Sequence, residues 1–526
     1  MSLNTPLKII IILISIILLI KISAIIFIEP WLESKIKSGL NDKNLNYNFD
    51  VENLKILFLL RGIELDNITI NTIRDSSKLN ANGNISQLKI TGINIIQALK
   101  KNIKLGKVLI SKSNIKIKLH FIEKSGNSFK IPTNIKIDKF SIENSNIFLE
   151  NILKAQSYSI KEGFVKISKL NLTKNDTLSP DVIRDFDFKA EKFMFSETDS
   201  MYSIFANGIN YTSESGILKF DTIHLNPNYG EYEFTSRYKY QVTRIDAKLN
   251  NILIHDFEAV NYILNKKLVS SYIETGGMDI KAFRDKRKEF RHVKKPTYQE
   301  LIYNYPGYLN IDSLSILKGD VSFKLQSEDS NEAGTISFND INAKILKISN
   351  DTIFKTEKSY LELSAESLLM GKIKFQVFLK GRIYDPQYTF SLNGNISGFE
   401  VDILNPFLEK TASIYASGKT DRINFSFSAN NTSATGFLTM IYQGLKITAK
   451  NKQSDDTTAL KEKIISKIAN LYIINSNPVP EEDVRKGIIS YDRDPERFLF
   501  HYCAKSILSG MQSSIFKNPK KSKILK

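Results

Sequence analysis

From Tyr47 onward apolar side chains recur at every second position in short runs: Tyr47/Phe49/Val51, Ile63/Leu65, Ile68/Ile70, Ile115/Ile117/Leu119, Ile135/Ile137 and Val165/Ile167. Asn, Asp, Ser and Gly separate them. Period two is the repeat of a strand with one apolar face, and the separating residues are those that tolerate turn conformations. The pattern predicts an antiparallel meander. It resumes from about Ile311 to Ala449, with Ile336/Phe338, Ile373/Phe375/Val377 and Ile423/Phe425/Phe427. Few helices are expected inside it; Phe257, Val260, Ile263 and Leu264 place one over 251–266.

Both ends depart from period two. Residues 9–28 (IIIILISIILLIKISAIIFI) form an apolar run with one charge, Lys21, and at about 1.5 Å per residue cover roughly 30 Å, the hydrocarbon thickness of a bilayer. A single transmembrane helix is expected there. The competing reading is a cleaved signal peptide with Ser23 and Ala24 near the cleavage site. A short helix follows, with Leu32, Ile36 and Leu40 on one stripe. At the other end Leu460, Ile464, Ile468 and Leu471 make a helical stripe over 459–473. Asp494-Pro495-Glu496 then has the chemistry of a helix start. Leu499, Cys503, Ile507, Met511 and Ile515 follow on one face, so an amphipathic C-terminal helix is expected, as a docked cap or lying on an anionic membrane.

The organisation that follows is a short cytoplasmic end (1–8), a span (9–28), a β-rich region (29–265), a basic Tyr- and Pro-containing connection (266–310), a second β-rich region (311–450) and a helical end with a Lys-rich tail (451–526). At about 15 residues per strand with its turn, the β regions make roughly 25 strands. Of the formal net charge of +17, residues 281–295 and 517–526 together carry +11, so the excess is local. The run at 281–295 suits either a phosphate contact or a solvated linker.

No motif of enzyme chemistry emerges. The five histidines (120, 224, 255, 292, 501) are scattered, and Cys503 is the only cysteine, which excludes an intrachain disulfide and a multi-cysteine metal site. Gly418-Lys419-Thr420 has Ser413 where a phosphate-binding loop needs its first glycine, and reads as a turn. No catalytic residue, metal or cofactor is expected. Nucleic acid is not an expected partner, since no reading motif accompanies the basic residues.

Several stretches carry a resemblance: VENLKILFLLRGIELDNITI (51–70), IHLNPNYGEYEF (223–234), AFRDKRKEF (282–290), GTISFNDINAKI (334–345) and YDRDPERFLFHYCAKSILSGM (491–511). With the single span they resemble the AsmA-like family of Gram-negative envelope proteins, related to the TamB group. That resemblance implies a mainly β chain: one N-terminal transmembrane helix in the inner membrane, then a long, curled antiparallel β-sheet in the periplasm, open and groove-like. It implies phospholipid transfer or outer-membrane maintenance, with membrane lipid and an outer-membrane or periplasmic protein as partners. Ile115, Ile117, Leu119, Ile135 and Ile137 are the candidate groove lining. The same alternation suits a closed sandwich. A scaffold for outer-membrane protein assembly, binding clients by strand addition, is the alternative function.

Overall fold

The computed structural model describes residues 47–73, 79–94, 102–120, 134–173, 183–197, 200–328, 330–355, 359–449 and 473–517, with isolated residues between 30 and 40 and at 97. The span at 9–28, the stripe at 459–473 and most of the Lys-rich tail lie outside the described residues. Among those described, no helix is long and apolar enough to cross a membrane. The chain is mainly β, with 63% of the described residues in strands. Among the described residues the strands number 19 and belong to one hydrogen-bonded sheet, against the roughly 25 expected for the chain. Five α-helices whose full extent is described accompany them: α1 (Glu231–Ser236), α2 (Ala259–Asn265), α3 (Tyr298–Tyr303), α4 (Asn405–Ala412) and the longer α5 (Leu499–Ile515).

The chain divides into two compact units, Met1–Asp221 with Glu258–Asn265, and Thr222–Phe257 with Lys266–Lys526. The first holds β1 (Tyr47–Leu57), β2 (Gly62–Thr72), β3 (Leu79–Thr91), β4 (Asn102–Leu119), β5 (Asn134–Asn151), β6 (Gln156–Leu172), β7 (Asp185–Glu197) and β8 (Tyr202–Thr212), and the division falls inside β9 (Ile217–Pro227). From β1 to β8 each strand pairs with the next, antiparallel except for β4 and β5, which run parallel. A small core of Val51, Leu54, Leu65, Ile68 and Ile85 closes the β1–β3 end. The helix expected over 251–266 is confined to α2; its first residues are the end of a strand, because Ile252 and Ile254 continue the alternation there.

The parallel junction departs from the predicted meander for a reason written in the chain. β4 and β5 pair with a constant offset of 32 residues, and eight positions are identical across it: Asn102/Asn134, Ile103/Ile135, Lys104/Lys136, Lys107/Lys139, Ile110/Ile142, Ser113/Ser145, Asn114/Asn146 and Ile115/Ile147. A segment and its near-copy lie side by side in register. Both carry a left-handed residue at the equivalent place, Lys112 (φ 52°) and Asn144 (φ 49°), the mark of a β-bulge in each. The repeated serine stabilises the pair of bulges: the buried Ser145 hydroxyl accepts from the Ser113 N–H at 3.3 Å and donates to the Glu143 carbonyl at 3.0 Å.

In the second unit lie β10 (Thr243–Ile254), β11 (Lys267–Asp285), β12 (Tyr308–Gln326), β13 (Gly334–Ser349), β14 (Leu361–Leu369), β15 (Ile373–Gly381), β16 (Phe390–Glu400), β17 (Ile414–Ala429), β18 (Ser433–Ala449) and β19 (Lys486–Asp492). Pairing is again sequential, with one parallel junction, β11 to β12. Much of the stretch expected as a connection is therefore the 19-residue β11, and α3 follows it behind a Thr297–Glu300 capping box. Gly418-Lys419-Thr420 lies within β17, not in a turn. The ladder register shifts around Gly418, whose φ of 123° no side chain tolerates well, and Thr420 is fully buried.

The main core runs from β14 to β19, where Leu379, Leu392, Ile423, Phe425, Phe427, Leu438 and Ile489 are sealed by α4 and α5. The expected face of α5 packs there, with Ile515 buried and Leu499, Cys503, Ile507 and Met511 half-buried. Its deepest stripe is nevertheless one residue earlier, along Tyr502, Ser506, Gly510 and Ser514, since small side chains let the helix backbone approach the sheet. The helix also begins later than expected, after Phe498. The Asp494 carboxylate instead accepts the Glu496 N–H at 2.9 Å and closes a separate turn.

Candidate functional site

The five residues expected to line a groove lie on the paired strands β4 and β5 of the first unit. Ile137 is buried, and Ile115, Ile117, Leu119 and Ile135 are half-buried, while their neighbours Lys116, Asn114, Lys136 and Asp138 are exposed. Register extends each position across the sheet. Ile117 continues through Leu149, Tyr158 and Phe195 to Ile204, and Ile115 continues through Ile147, Ile160 and Phe193 to Ala206. Beyond the bulge a further row runs Leu88, Ile110, Ile142, Val165, Phe188 and Tyr211. Six strands at about 4.8 Å make such a row about 24 Å long. The five residues fall into two groups, because Ile135 and Ile137 pair with Ile103 and Leu105 at the opposite end of the strands.

Some aromatic rings alternate with these rows, and lysines cover them. Lys116 sits 5.1 Å from the Phe148 ring, Lys192 4.9 Å from Phe205 and Lys189 6.0 Å from Phe164. Lys116–Phe148 and Lys189–Phe164 are direct cross-strand neighbours. The lysine stems shield apolar rings while their ammonium groups stay in water. Among the described residues no such lysine contact falls on Tyr158, Phe193 or Phe195, the rings within the Ile117 and Ile115 rows. At the β8 end the unit is tied down by α2, where the Ala259 N–H donates to the Tyr211 hydroxyl at 3.4 Å.

In the second unit a shallow cavity of about 440 Å³ opens over β12–β15, with Ile316, Ala343, Ala365 and Val377 in its lining. These four are successive cross-strand partners, and the row continues through Gly394 to Phe425. Small side chains thus leave a furrow between the larger rows Leu314–Ile345–Leu363–Leu379 and Phe375–Ile396. Period two identifies a face without showing which rows are small, so the furrow was not expected.

The residues proposed for the C-terminal helix serve packing. Burial raises the Cys503 thiol to about 12, so it is not a nucleophile at neutral pH. His501 is held down at about 4, chiefly by burial and then by the nearby Arg497, Lys505 and Lys286, with Asp494 opposing them. An unfolded chain takes up this proton near pH 6.5 while the folded one waits until about pH 4, so the native state loses stability as pH falls between these values. The loss should reach at most about 3 kcal/mol at 1.36 kcal/mol per pH unit. Urea titrations at pH 7 and pH 4.5 check this; the difference should shrink in His501→Gln.

The chain matches no protein-family model and no curated protein. Among the described residues no group of three His, Cys, Asp or Glu side chains is placed to hold a metal ion.

Proposed function

We propose that this chain is an envelope protein, anchored in the inner membrane by residues 9–28 with its bulk in the periplasm, that binds phospholipid acyl chains on an apolar sheet face and helps transfer them or maintain the outer membrane. The observation that carries the reading is the set of cross-strand apolar rows in the first unit, aliphatic on β4 and β5 and partly aromatic beyond. They are largely half-buried and about 19–24 Å long, and those of Ile115 and Ile117 lack the lysines that cover aromatic rings elsewhere. An acyl chain occupies about half of a roughly 30 Å hydrocarbon layer, so a row accommodates one along its length. Contact with such a chain removes the rows from water at about 25 cal/mol per Å². The resemblance to the AsmA-like family points the same way.

The test uses Ile117→Asp in the full chain. A charge in the middle of a half-exposed row opposes an acyl chain strongly and the folded sheet weakly, since the carboxylate retains access to water. Co-purified phospholipid should fall several-fold, with the thermal midpoint shifted by only a few degrees. Unchanged lipid content would overturn the reading, and global unfolding would show that the rows belong to a closed core.

A further inference from the structure

The basic run at 281–295 does not stand alone in the second unit. Arg284, near the end of β11, lies close to Arg497, and Lys286 just beyond the strand lies close to Arg284, to Arg497 and to His501 and Lys505 of α5. Two of the cations are held in place. The Arg284 Nε donates to the Thr243 hydroxyl at 2.8 Å, and the Arg497 guanidinium lies 3.8 Å from the centre of the Phe290 ring. Two carboxylates face the group. Asp494 lies 3.5 Å from the Arg497 Nε, and Glu328 is near Lys286. The adjacent Asp285 is engaged by Arg287, at 2.7 Å. Among the described residues the Lys286 and Lys505 ammonium groups have no carboxylate partner, and the buried His501 Nδ1 has no hydrogen-bond partner.

We propose that Arg284, Lys286, His501 and Lys505 form a binding site for a phosphate-class oxyanion. Arg284, Lys286, Lys505 and the adjoining Arg497, set against Asp494 and Glu328 while His501 is neutral, leave a net charge of about +2, the complement of the −1.5 to −2 of a phosphate monoester at neutral pH. Arg284 supplies a planar fork, the two lysines supply mobile charges from different elements, and His501 supplies a ring nitrogen once protonated. The unliganded arrangement opposes its own charge. Arg284 and Lys286 both have lowered pKa values, first through partial desolvation and then through Arg497, with Lys505 and Arg284 adding to the effect at Lys286. A bound oxyanion reverses the electrostatic part of that, and raises His501 as well. The site does not depend on the acyl-chain reading, because a free phosphate and a phospholipid headgroup present the same oxygens.

The experiment titrates the full chain in neutral detergent with inorganic phosphate, with a short-chain phosphatidic acid, and with the matching short-chain diacylglycerol, by calorimetry. The double variant Lys286→Gln/Lys505→Gln is compared; both residues are exposed, so its thermal midpoint should match that of the parent. Phosphate affinity should fall about tenfold or more in the variant, the scale of a lost charge-assisted hydrogen bond. The His501 pKa, followed by histidine-selective NMR, should rise from about 4 when phosphate binds. Tighter binding of phosphatidic acid than of phosphate, equally sensitive to the variant, assigns the site to a headgroup; equal affinities assign it to free phosphate. No binding of either anion, or affinity that the variant leaves unchanged, overturns the proposal. Diacylglycerol binding that survives in the variant leaves the acyl-chain reading standing in every case.

Discussion

Replacing Gly510 with leucine is expected to lift α5 from the sheet and cost about 3 kcal/mol or more. The helix reaches β18 and β19 through a contact made by two glycines. A Cβ on Gly510 would stand 2.7 Å from the Ile489 Cγ1 and 2.9 Å from the Leu438 Cβ, both on fully buried side chains. A Cβ on Gly487 would stand 2.1 Å from the Gly510 carbonyl oxygen. There is no flexible side-chain end to move aside, so the helix itself must shift and expose Tyr502 and Ile515. The midpoint of urea unfolding should drop sharply for Gly510→Leu and modestly for Gly510→Ala. Proteolysis at Lys505 should accelerate in the leucine variant. An unaltered midpoint in that variant would mean that α5 does not contribute to the core.

The second large effect is expected at Asn477, which is 2% exposed and joins three segments of the second unit. Its side-chain amide donates to the Met440 carbonyl at 2.6 Å and to the Arg485 carbonyl at 2.9 Å, and its oxygen accepts the Arg485 N–H at 2.8 Å. Arg485 in turn reaches the carbonyl of Phe516, at 2.9 Å, where a cation suits the negative end of α5. Asn477→Leu removes the partners of one buried and two part-buried backbone groups while keeping the volume. At about 1–3 kcal/mol for each unsatisfied group the total should exceed 3 kcal/mol. Asn477→Asp keeps the acceptor but loses both donations, and should fall between. Denaturant titration of the three proteins gives the ranking; a leucine variant as stable as the parent would show that water replaces the amide.

The alternation from Tyr47 onward was enough to read the sheet, because side-chain direction along a strand depends on nothing beyond period two. Strand direction was not readable from it. Ile115 and Ile147 alternate with their neighbours in the same way whether β4 and β5 run parallel or antiparallel. The signal that separates the two was present in the 32-residue recurrence of Asn-Ile-Lys and Ser-Asn-Ile, which period-two reading passes over. The start of α5 was misplaced for a different reason. Asp494 can cap a helix or a turn with equal chemistry, and the helix axis is set by where Gly510 meets Gly487, which depends on tertiary contact. The charge at 281–295 was visible, but its counterparts Arg497, His501 and Lys505 are some 200 residues away in the chain, and folding brings them together.

The in-register pairing of β4 with its near-copy β5 makes this architecture modular. Each copy presents the same edge that it accepts, with Ile110 meeting Ile142, Ile115 meeting Ile147 and the bulge at Lys112 meeting the bulge at Asn144. Inserting another 32-residue segment there would extend every aliphatic row by one strand of the same kind and leave the chemistry of both faces unaltered. Chain length and the reach of the apolar surface are therefore coupled in whole steps, and relatives that differ in size by such multiples would preserve the same cross-section.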